Sequence, residues 1–237
     1  MTRRDEIAAN LEAVEERILR ACDAADRNRE DVQLVVITKT YPAGDIEILH
    51  DLGVTDVGEN RHPEAGRKKE ELGDVGLDLV WHFVGGLQSN KAAAVAAYSD
   101  VVHSVDRAKL LSGLSKGAKE SGRSVACLLQ VNLDPPSAED TSGRAGAHPS
   151  DVTELARAVE ATEALDLRGV MGVAPLGGDP VAAFATLAEV AGTLRETYPL
   201  CRLISAGMSD DLEQAVAAGA THVRVGRSVL GERPPLR

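Results

Sequence analysis

The sequence predicts a single α/β domain spanning residues 1–237, a (β/α)8 TIM barrel with an extra N-terminal helix. Three observations predict it. Eight short apolar runs alternate with seven amphipathic segments along the chain. Such strict alternation implies a parallel sheet, which closes into a barrel at eight strands. Hydrophobic residues make up 43% of the 237 but aromatics only 3%, so Val, Leu, Ile and Ala must build the core. That suits helices wrapped on a parallel sheet better than a β-sandwich. Polar and glycine-rich residues also gather after the strands, at one rim. The alternative architecture is a doubly wound open sheet. No stretch reads as a linker and no internal repeat is present.

In chain order, the first helix is marked by Ile7, Leu11, Val14 and Ile18, which recur at helical spacing among Glu and Arg and form one buried stripe. The strands are expected at 33–38 (QLVVIT), 55–57 (TDV), 79–84 (LVWHFV), 101–104 (VVHS), 124–131 (SVACLLQV), 167–173 (LRGVMGV), 201–205 (CRLIS) and 221–225 (THVRV). The second is short and is read partly from the count it completes. Helical patterns fall between them at 43–51, 63–72, 90–97, 107–120, 150–163, 180–197 and 209–218. The longest irregular stretch, 133–148 (LDPPSAEDTSGRAGAH), follows the fifth strand. A loop of that length in a compact domain is usually a functional lid or disordered.

Charge and composition exclude several function classes. Acidic residues number 37 against 26 basic, a net charge of −11, which disfavours nucleic acid or an anionic membrane as partner. Cys22, Cys127 and Cys201 are scattered without metal-ligand spacing and read as reduced thiols. No metal site is expected, because no Cys/His cluster and no HExxH occurs. The glycine pairs Gly85-Gly86 and Gly177-Gly178 lack dinucleotide-binding spacing, and no Walker A motif exists. The opening MTRRDEIAAN has no apolar signal core and no run reaches membrane length. A soluble, cytoplasmic protein is expected.

In a parallel barrel, chemistry sits at the C-terminal strand ends. There the sequence delivers Thr38-Lys39-Thr40, Gly58-Glu59-Asn60-Arg61, Gly85 to Lys91, His103-Ser104-Val105-Asp106, Gln130-Val131-Asn132, Met171-Gly172, Ser205-Ala206-Gly207-Met208-Ser209 and Arg224-Val225-Gly226. Lys39 follows four apolar residues, Leu34 to Ile37. A strand-end lysine held in a pocket loses basicity by desolvation and frees its amine for a carbonyl. The other reading is a rim lysine reaching solvent over a packed stem.

After strands seven and eight, Gly207 permits close backbone approach, and Ser209 reads as the N-cap of the helix carrying Leu212, Ala215 and Val216. Backbone N–H groups at that helix start, with the Ser205 and Ser209 hydroxyls, would cradle a phosphate. Arg224 and Gly226 arrive from the neighbouring strand. The plainer reading is that Ser209 only caps its helix, with Asp210 and Asp211 complementing the dipole. Together with the lysine, the group suggests a ligand bearing both a phosphate and an aldehyde. His82 and His103 read as satisfied core groups, the run Arg67-Lys68-Lys69-Glu70-Glu71 as a solvated helix face, and Asn90 as a helix cap.

The segments ITKTYP (37–42), VGEN (57–60), WHFVGGLQSNK (81–91), HSVDR (103–107), QVN (130–132) and ISAGMSDDLEQAVAAGATHVRVG (204–226) resemble the pyridoxal phosphate homeostasis protein family (the YggS/PROSC group), itself similar to the alanine racemase N-terminal barrel standing alone. The resemblance spans almost the whole chain in order. It implies pyridoxal 5′-phosphate (PLP) as cofactor, held as a Schiff base to Lys39. It also implies that Ser205, Gly207, Met208, Ser209, Arg224 and Gly226 surround the phosphate, with Asn60 near the ring. Arg224 could instead face the pyridine nitrogen, where it would disfavour ring protonation and weaken the cofactor as an electron sink. Departures are Ala206 where the family usually has Met, Arg144 in place of a lysine, and a remodelled loop 133–148.

Two functions follow from the resemblance. The first is a non-enzymatic carrier or regulator of the PLP pool, with PLP-dependent apo-enzymes as candidate partners. The second is an amino-acid racemase or related enzyme. Racemisation needs a second acid/base, which in alanine racemase comes from a β-domain of the partner subunit. The sequence ends at Arg237, a few residues beyond the eighth strand, so that domain and its dimer surface are not expected and a monomer is. Only Tyr41, Tyr98 and Tyr198 could substitute, and Tyr41 is expected on the outward loop. The carrier reading is therefore favoured. A Schiff-base lyase acting on a phosphorylated carbonyl compound would use the same site but leaves the resemblance unexplained.

Overall fold

A computed structural model describes residues 1–134 and 145–232. In chain order its elements are α1 (Arg3–Ala24), β1 (Gln33–Ile37), α2 (Ala43–Asp51), β2 (Asp56–Glu59), α3 (Glu64–Leu72), α4 (Asp74–Asp78), β3 (Val80–Phe83), α5 (Ala92–Ala96), β4 (Val101–Val105), α6 (Leu111–Glu120), β5 (Val125–Gln130), α7 (Val152–Glu160), β6 (Leu165–Met171), α8 (Pro180–Thr197), β7 (Leu203–Ser205), α9 (Leu212–Ala217), β8 (His222–Val225) and α10 (Arg227–Leu230). The strands form a closed parallel barrel in sequence order. Closure is made by β1 on β8, paired from Gln33↔His222 to Val36↔Val225. The expected (β/α)8 barrel with an extra N-terminal helix is the observed fold.

Strand alternation sorts the side chains into two layers. Leu34 and Val36 of β1 pack outward with Ile7, Leu11, Val14 and Ile18 of α1. Val35 and Ile37 come against Gly58 on the inner side, where an added Cβ would stand 2.4 Å from Ile37 Cδ1. The second outer cluster joins α5, α6, α7 and α8 to the opposite wall through Val95, Leu114, Val159 and Leu187. A small third cluster, Val101, Leu128 and Met171, fills only part of the interior. The remaining interior holds buried Asp56, His82, His103, Ser205 and Arg224.

The N-terminal helix starts with a capping box, Thr2 accepting from Asp5 N–H and the Asp5 side chain accepting from Thr2 N–H. It packs on α9 and α10 and is pinned there by Arg3, which donates to Asp45 (2.6 Å) and to the Leu230 carbonyl (2.8 Å).

Some boundaries differ from expectation. The second strand runs over 56–59, because Gly58 and Glu59 continue to pair with His82 and Phe83. β6 begins two residues earlier, at Leu165. α4 and α10 were not foreseen. The helix expected from Ser209 starts only at Leu212. There Met208 N–H donates to Asp211 Oδ1 (2.6 Å), closing a turn over the segment that reads as a cap. Ser209 therefore caps nothing. Asn90 sits in a short 3-10 turn, Ser89–Lys91, where no side chain supplies a cap hydrogen bond.

Candidate functional site

Lys39 stands in the tight turn that leaves β1. Tyr41 N–H closes the turn on the Thr38 carbonyl (3.1 Å), and Thr40 takes a left-handed φ of +70°. Non-glycine residues seldom adopt that conformation without outside support. The support comes from α3. Glu64 Oε1 accepts from Thr40 N–H (2.9 Å), and Lys68 Nζ donates to the Thr38 carbonyl (2.9 Å). Lys68 also bridges Glu59 (2.7 Å) and Glu64 (3.0 Å), while Thr38 Oγ1 donates to the same Glu59 oxygen (2.8 Å). Both neighbours of Lys39 are thus clamped, and Lys39 itself is half-buried.

The charge run on α3 is not a uniformly solvated face. Arg67, Glu70 and Glu71 are exposed, but Lys68 is only 7% exposed. Lys69 folds over the Trp81 ring, 5.7 Å from its centroid, and donates to the Tyr98 carbonyl (2.8 Å). Burial pulls its ammonium below the usual lysine range. Burial likewise raises the Glu59 carboxyl despite the charge of Lys68. Burial also acts on Glu64, but the hydrogen bonds from Lys68 and Thr40 outweigh it and lower that carboxyl.

Asn60 follows β2 and is half-buried. Gly85, after β3, approaches it so closely that an added Cβ would lie 2.1 Å from the Asn60 carbonyl oxygen. Among the described residues, the buried oxygens without hydrogen-bond partners include Asn60 Oδ1, Glu59 Oε2 and Thr40 Oγ1. All three sit on the segments that flank Lys39. Such orphaned acceptors are what a polar ligand at this rim would engage.

The residues after β7 and β8 divide into two groups. At the rim, Gly207 (φ +87°) bends the chain, and its carbonyl accepts from Arg224 N–H (2.9 Å). Met208 is 39% exposed. Ser209 Oγ accepts from Ser228 Oγ–H (3.1 Å), and its carbonyl is held by Arg17 of α1 (2.6 Å). Gly226 leads into α10, with its Cα hydrogen side 3.2 Å-tight against the Ile37 carbonyl for any added Cβ. Below the rim, Arg224 and Ser205 point into the barrel. Arg224 donates to Ser205 Oγ (2.5 Å) and to the Gly172 carbonyl (2.9 Å). The head of Arg224 is thus committed to the interior side of β6 and β7.

Of the expected site residues, the structure brings Gly207, Met208, Ser209 and Gly226 to one side of the mouth, places Ser205 and Arg224 beneath them, and sets Lys39 and Asn60 on the β1 and β2 ends. Sequence reading brought Glu59 to the rim without a role, took Lys68 for part of a solvated face and missed Glu64, although the i,i+4 spacing of Glu64 and Lys68 was visible. It also missed Ser228. Arg144 lies outside the described residues, as does most of the loop 133–148. Of the three tyrosines, Tyr41 is buried in the helix layer and donates to the Gly231 carbonyl (2.6 Å). Tyr98 stacks on His62, and Tyr198 closes α8. Among the described residues no group of His, Cys, Asp or Glu could hold a metal ion, and no helix is long and apolar enough to cross a membrane.

Residues 9–234 match the family described as alanine racemase, N-terminal domain. The pyridoxal phosphate homeostasis protein of Mycobacterium tuberculosis (strain ATCC 25618 / H37Rv) is 36% identical over 98% of this chain and 94% of its own. Among solved structures, PipY of Synechococcus elongatus PCC7942, determined with PLP bound, superposes with a TM-score of 0.80 at 35% identity, over 95% of this chain and all of PipY. Alanine racemase of Clostridium difficile 630 shares the fold, with a TM-score of 0.73 at 15% identity, over 97% of this chain and 57% of the racemase.

Proposed function

Because the chain belongs to the alanine racemase N-terminal domain family, and within it to the pyridoxal phosphate homeostasis proteins, we propose that it binds PLP at the C-terminal rim and serves PLP homeostasis without efficient turnover. One observation carries the site: Lys39 is held in a turn clamped on both sides by α3, at the rim where Gly207, Ser209, Gly226 and Ser228 also gather. Lys39 would hold PLP through its amine, and the bound cofactor would supply a reactive aldehyde and an electron-withdrawing ring.

The chain's own residues do the rest. Lys68 and Glu64 fix the backbone on either side of Lys39, so little ordering remains to be done when the amine is engaged. Glycines at 207 and 226 let backbone N–H groups approach an anion, and the Ser209 and Ser228 hydroxyls add donors. Asn60 offers a buried amide beside the ring position, and Met208 an exposed wall. Ser205 and Arg224 would lie beneath the ligand, with Arg224 toward the pyridine side or the phosphate. Reduced thiols at Cys22, Cys127 and Cys201, all buried, fit action in the cytoplasm. A monomer that hands PLP to apo-enzymes is the partner arrangement this reading favours.

The test is spectroscopic. Purified protein should show near-visible absorption that borohydride bleaches, and Lys39→Ala should lack it. A colourless protein that cannot be reconstituted with PLP would sink the reading.

A further inference from the structure

Five buried polar side chains cross the barrel interior in one unbroken line. Asp56 Oδ1 lies 2.8 Å from His82 Nε2, and His82 Nδ1 lies 2.8 Å from His103 Nε2. His103 Nδ1 lies 2.9 Å from Ser205 Oγ, which accepts from Arg224 at 2.5 Å. These groups come from β2, β3, β4, β7 and β8, and their sequence separations run from 19 to 102 residues. Asp56 opens β2 at the N-terminal rim, where its second oxygen accepts from Gln33 (2.8 Å) and Thr55 (2.6 Å). Arg224 lies at the other end, beneath the proposed ligand site.

We propose that Asp56, His82, His103 and Ser205 are positioning residues for Arg224, forming a one-way hydrogen-bond relay that fixes its guanidinium and ties it to a carboxylate on the far rim. The inference rests on the proposed function only in taking the anionic ligand near Arg224 to be PLP.

The direction of the relay follows from donor chemistry. A guanidinium only donates and an ionised carboxylate only accepts. Ser205 Oγ therefore accepts from Arg224 and passes its own hydrogen to His103 Nδ1. His103 is then the Nε2–H tautomer and donates to His82 Nδ1. His82 in turn donates from Nε2–H to Asp56. Each group is satisfied once, and reversing any single link sets two donors or two acceptors face to face. A cation and an anion at opposite ends thus select one tautomer for each neutral imidazole between them.

A plain core would not need this. The adjacent interior is filled by Val101, Leu128 and Met171, and burying five polar groups instead carries a desolvation cost. The relay offsets that cost only when all its members are paired. Arg224 has particular need of it. Among the described residues no carboxylate stands within ion-pair distance of Arg224, and burial lowers its pKa to about 10. The same burial, with the charge of Arg224 and that of any proton on His82 or His222 behind it, holds His103 well below the usual imidazole range. His222, whose ring stands 6.0 Å from His82, is pushed down to about 4, chiefly by burial. His103, the central link between Arg224 and Asp56, therefore stays neutral at neutral pH.

The test uses the full chain without ligand, labelled with ¹⁵N in its histidine rings. His82 and His103 should both appear as Nε2–H tautomers at neutral pH, and His103 should not titrate between about pH 6 and 8. Either ring found as the Nδ1–H tautomer, or His103 titrating in that window, overturns the relay. Asp56→Asn should then move the His103 ring signals and weaken PLP retention by roughly fivefold or more, while Asp166→Asn, outside the relay, should do neither. Changes that stop at His82, or retention left intact, would overturn the positioning role. A wild-type protein that takes up no PLP would sink the proposed function, and the ring tautomers would still judge the relay.

Discussion

Lys68 donates its ammonium to the carbonyl of Thr38 at 2.9 Å, so a charge on the third helix holds the residue immediately before Lys39. The same ammonium bridges Glu59 and Glu64. Removing one partner of a buried pair is costly because the other is left uncompensated. Lys68→Met should therefore destabilise the protein by up to roughly 3–5 kcal/mol, less whatever Glu59 recovers by taking up a proton. Urea unfolding at neutral pH measures the loss. The paired variant Lys68→Met/Glu59→Gln should regain part of it, while PLP retention stays impaired because the Thr38 carbonyl is still released. Wild-type stability in Lys68→Met would mean that the clamp carries no weight.

The two carboxylates on Lys68 should respond to pH in opposite senses. Burial raises Glu59 above its unfolded value near ~4.3. A raised carboxyl binds its proton more readily folded than unfolded, so its contribution is lost as pH rises through the folded value. Glu64 is lowered by Lys68 and Thr40 against the opposing effect of burial. Its contribution is present above the unfolded value and lost as pH falls through the folded one. In stability profiles from acid to neutral pH, Glu64→Gln should flatten the acid limb and Glu59→Gln the limb above it. Profiles parallel to wild type for both variants would contradict these assignments.

Retention of PLP should separate the rim from the interior. Ser209→Ala removes one hydroxyl from the Ser209–Ser228 pair (3.1 Å), and a single neutral hydrogen bond contributes only about 0.5–1.5 kcal/mol. Arg224→Gln strips a buried cation from Ser205 and Gly172 and should cost more. Off-rates followed by loss of the near-visible band should rise modestly in the first variant and steeply in the second, with the far-ultraviolet spectrum unchanged. Equal, unaltered off-rates would mean that neither group supports the ligand.

How far the sequence discloses the molecule depends on the range of the contact. Local periodicity marks α2 at 43–51 and α8 at 180–197 with the observed bounds, and the eight-strand count places the Lys39 turn at the right rim. The cap signal Ser209-Asp210-Asp211 misleads because Asp211 turns back on Met208 N–H, a competition between turn and helix that spacing alone does not resolve. Lys68 reads as solvent-facing within a run of charges until Glu59, nine residues upstream, is seen beside it. The His82–His103 pair is less visible still. Each histidine is unremarkable in its own strand, and only the closure of the barrel sets Asp56, Ser205 and Arg224 in line with them.

Turnover should be poor, because moving an α-proton between opposite faces of a bound amino acid takes two groups, and the proposed site assigns that work to Lys39 alone. Lys39 can serve one face. The tyrosines that might serve the other lie in the helix layer or at the far rim among the described residues. Tyr41 spends its hydroxyl on the Gly231 carbonyl in the helix layer. Tyr98 packs between α3 and α5 against His62 and Gly66, its hydroxyl buried without a hydrogen-bond partner and its phenol raised by burial. Tyr198 ends α8 ahead of β7, at the opposite rim. Residues 135–144 contain no tyrosine. With PLP loaded and alanine added in deuterated buffer, exchange at the α-carbon should run no faster than with an equal concentration of free PLP. Sustained exchange that disappears in Lys39→Ala would instead establish an enzyme, and would direct the search for its second acid/base to the loop after β5.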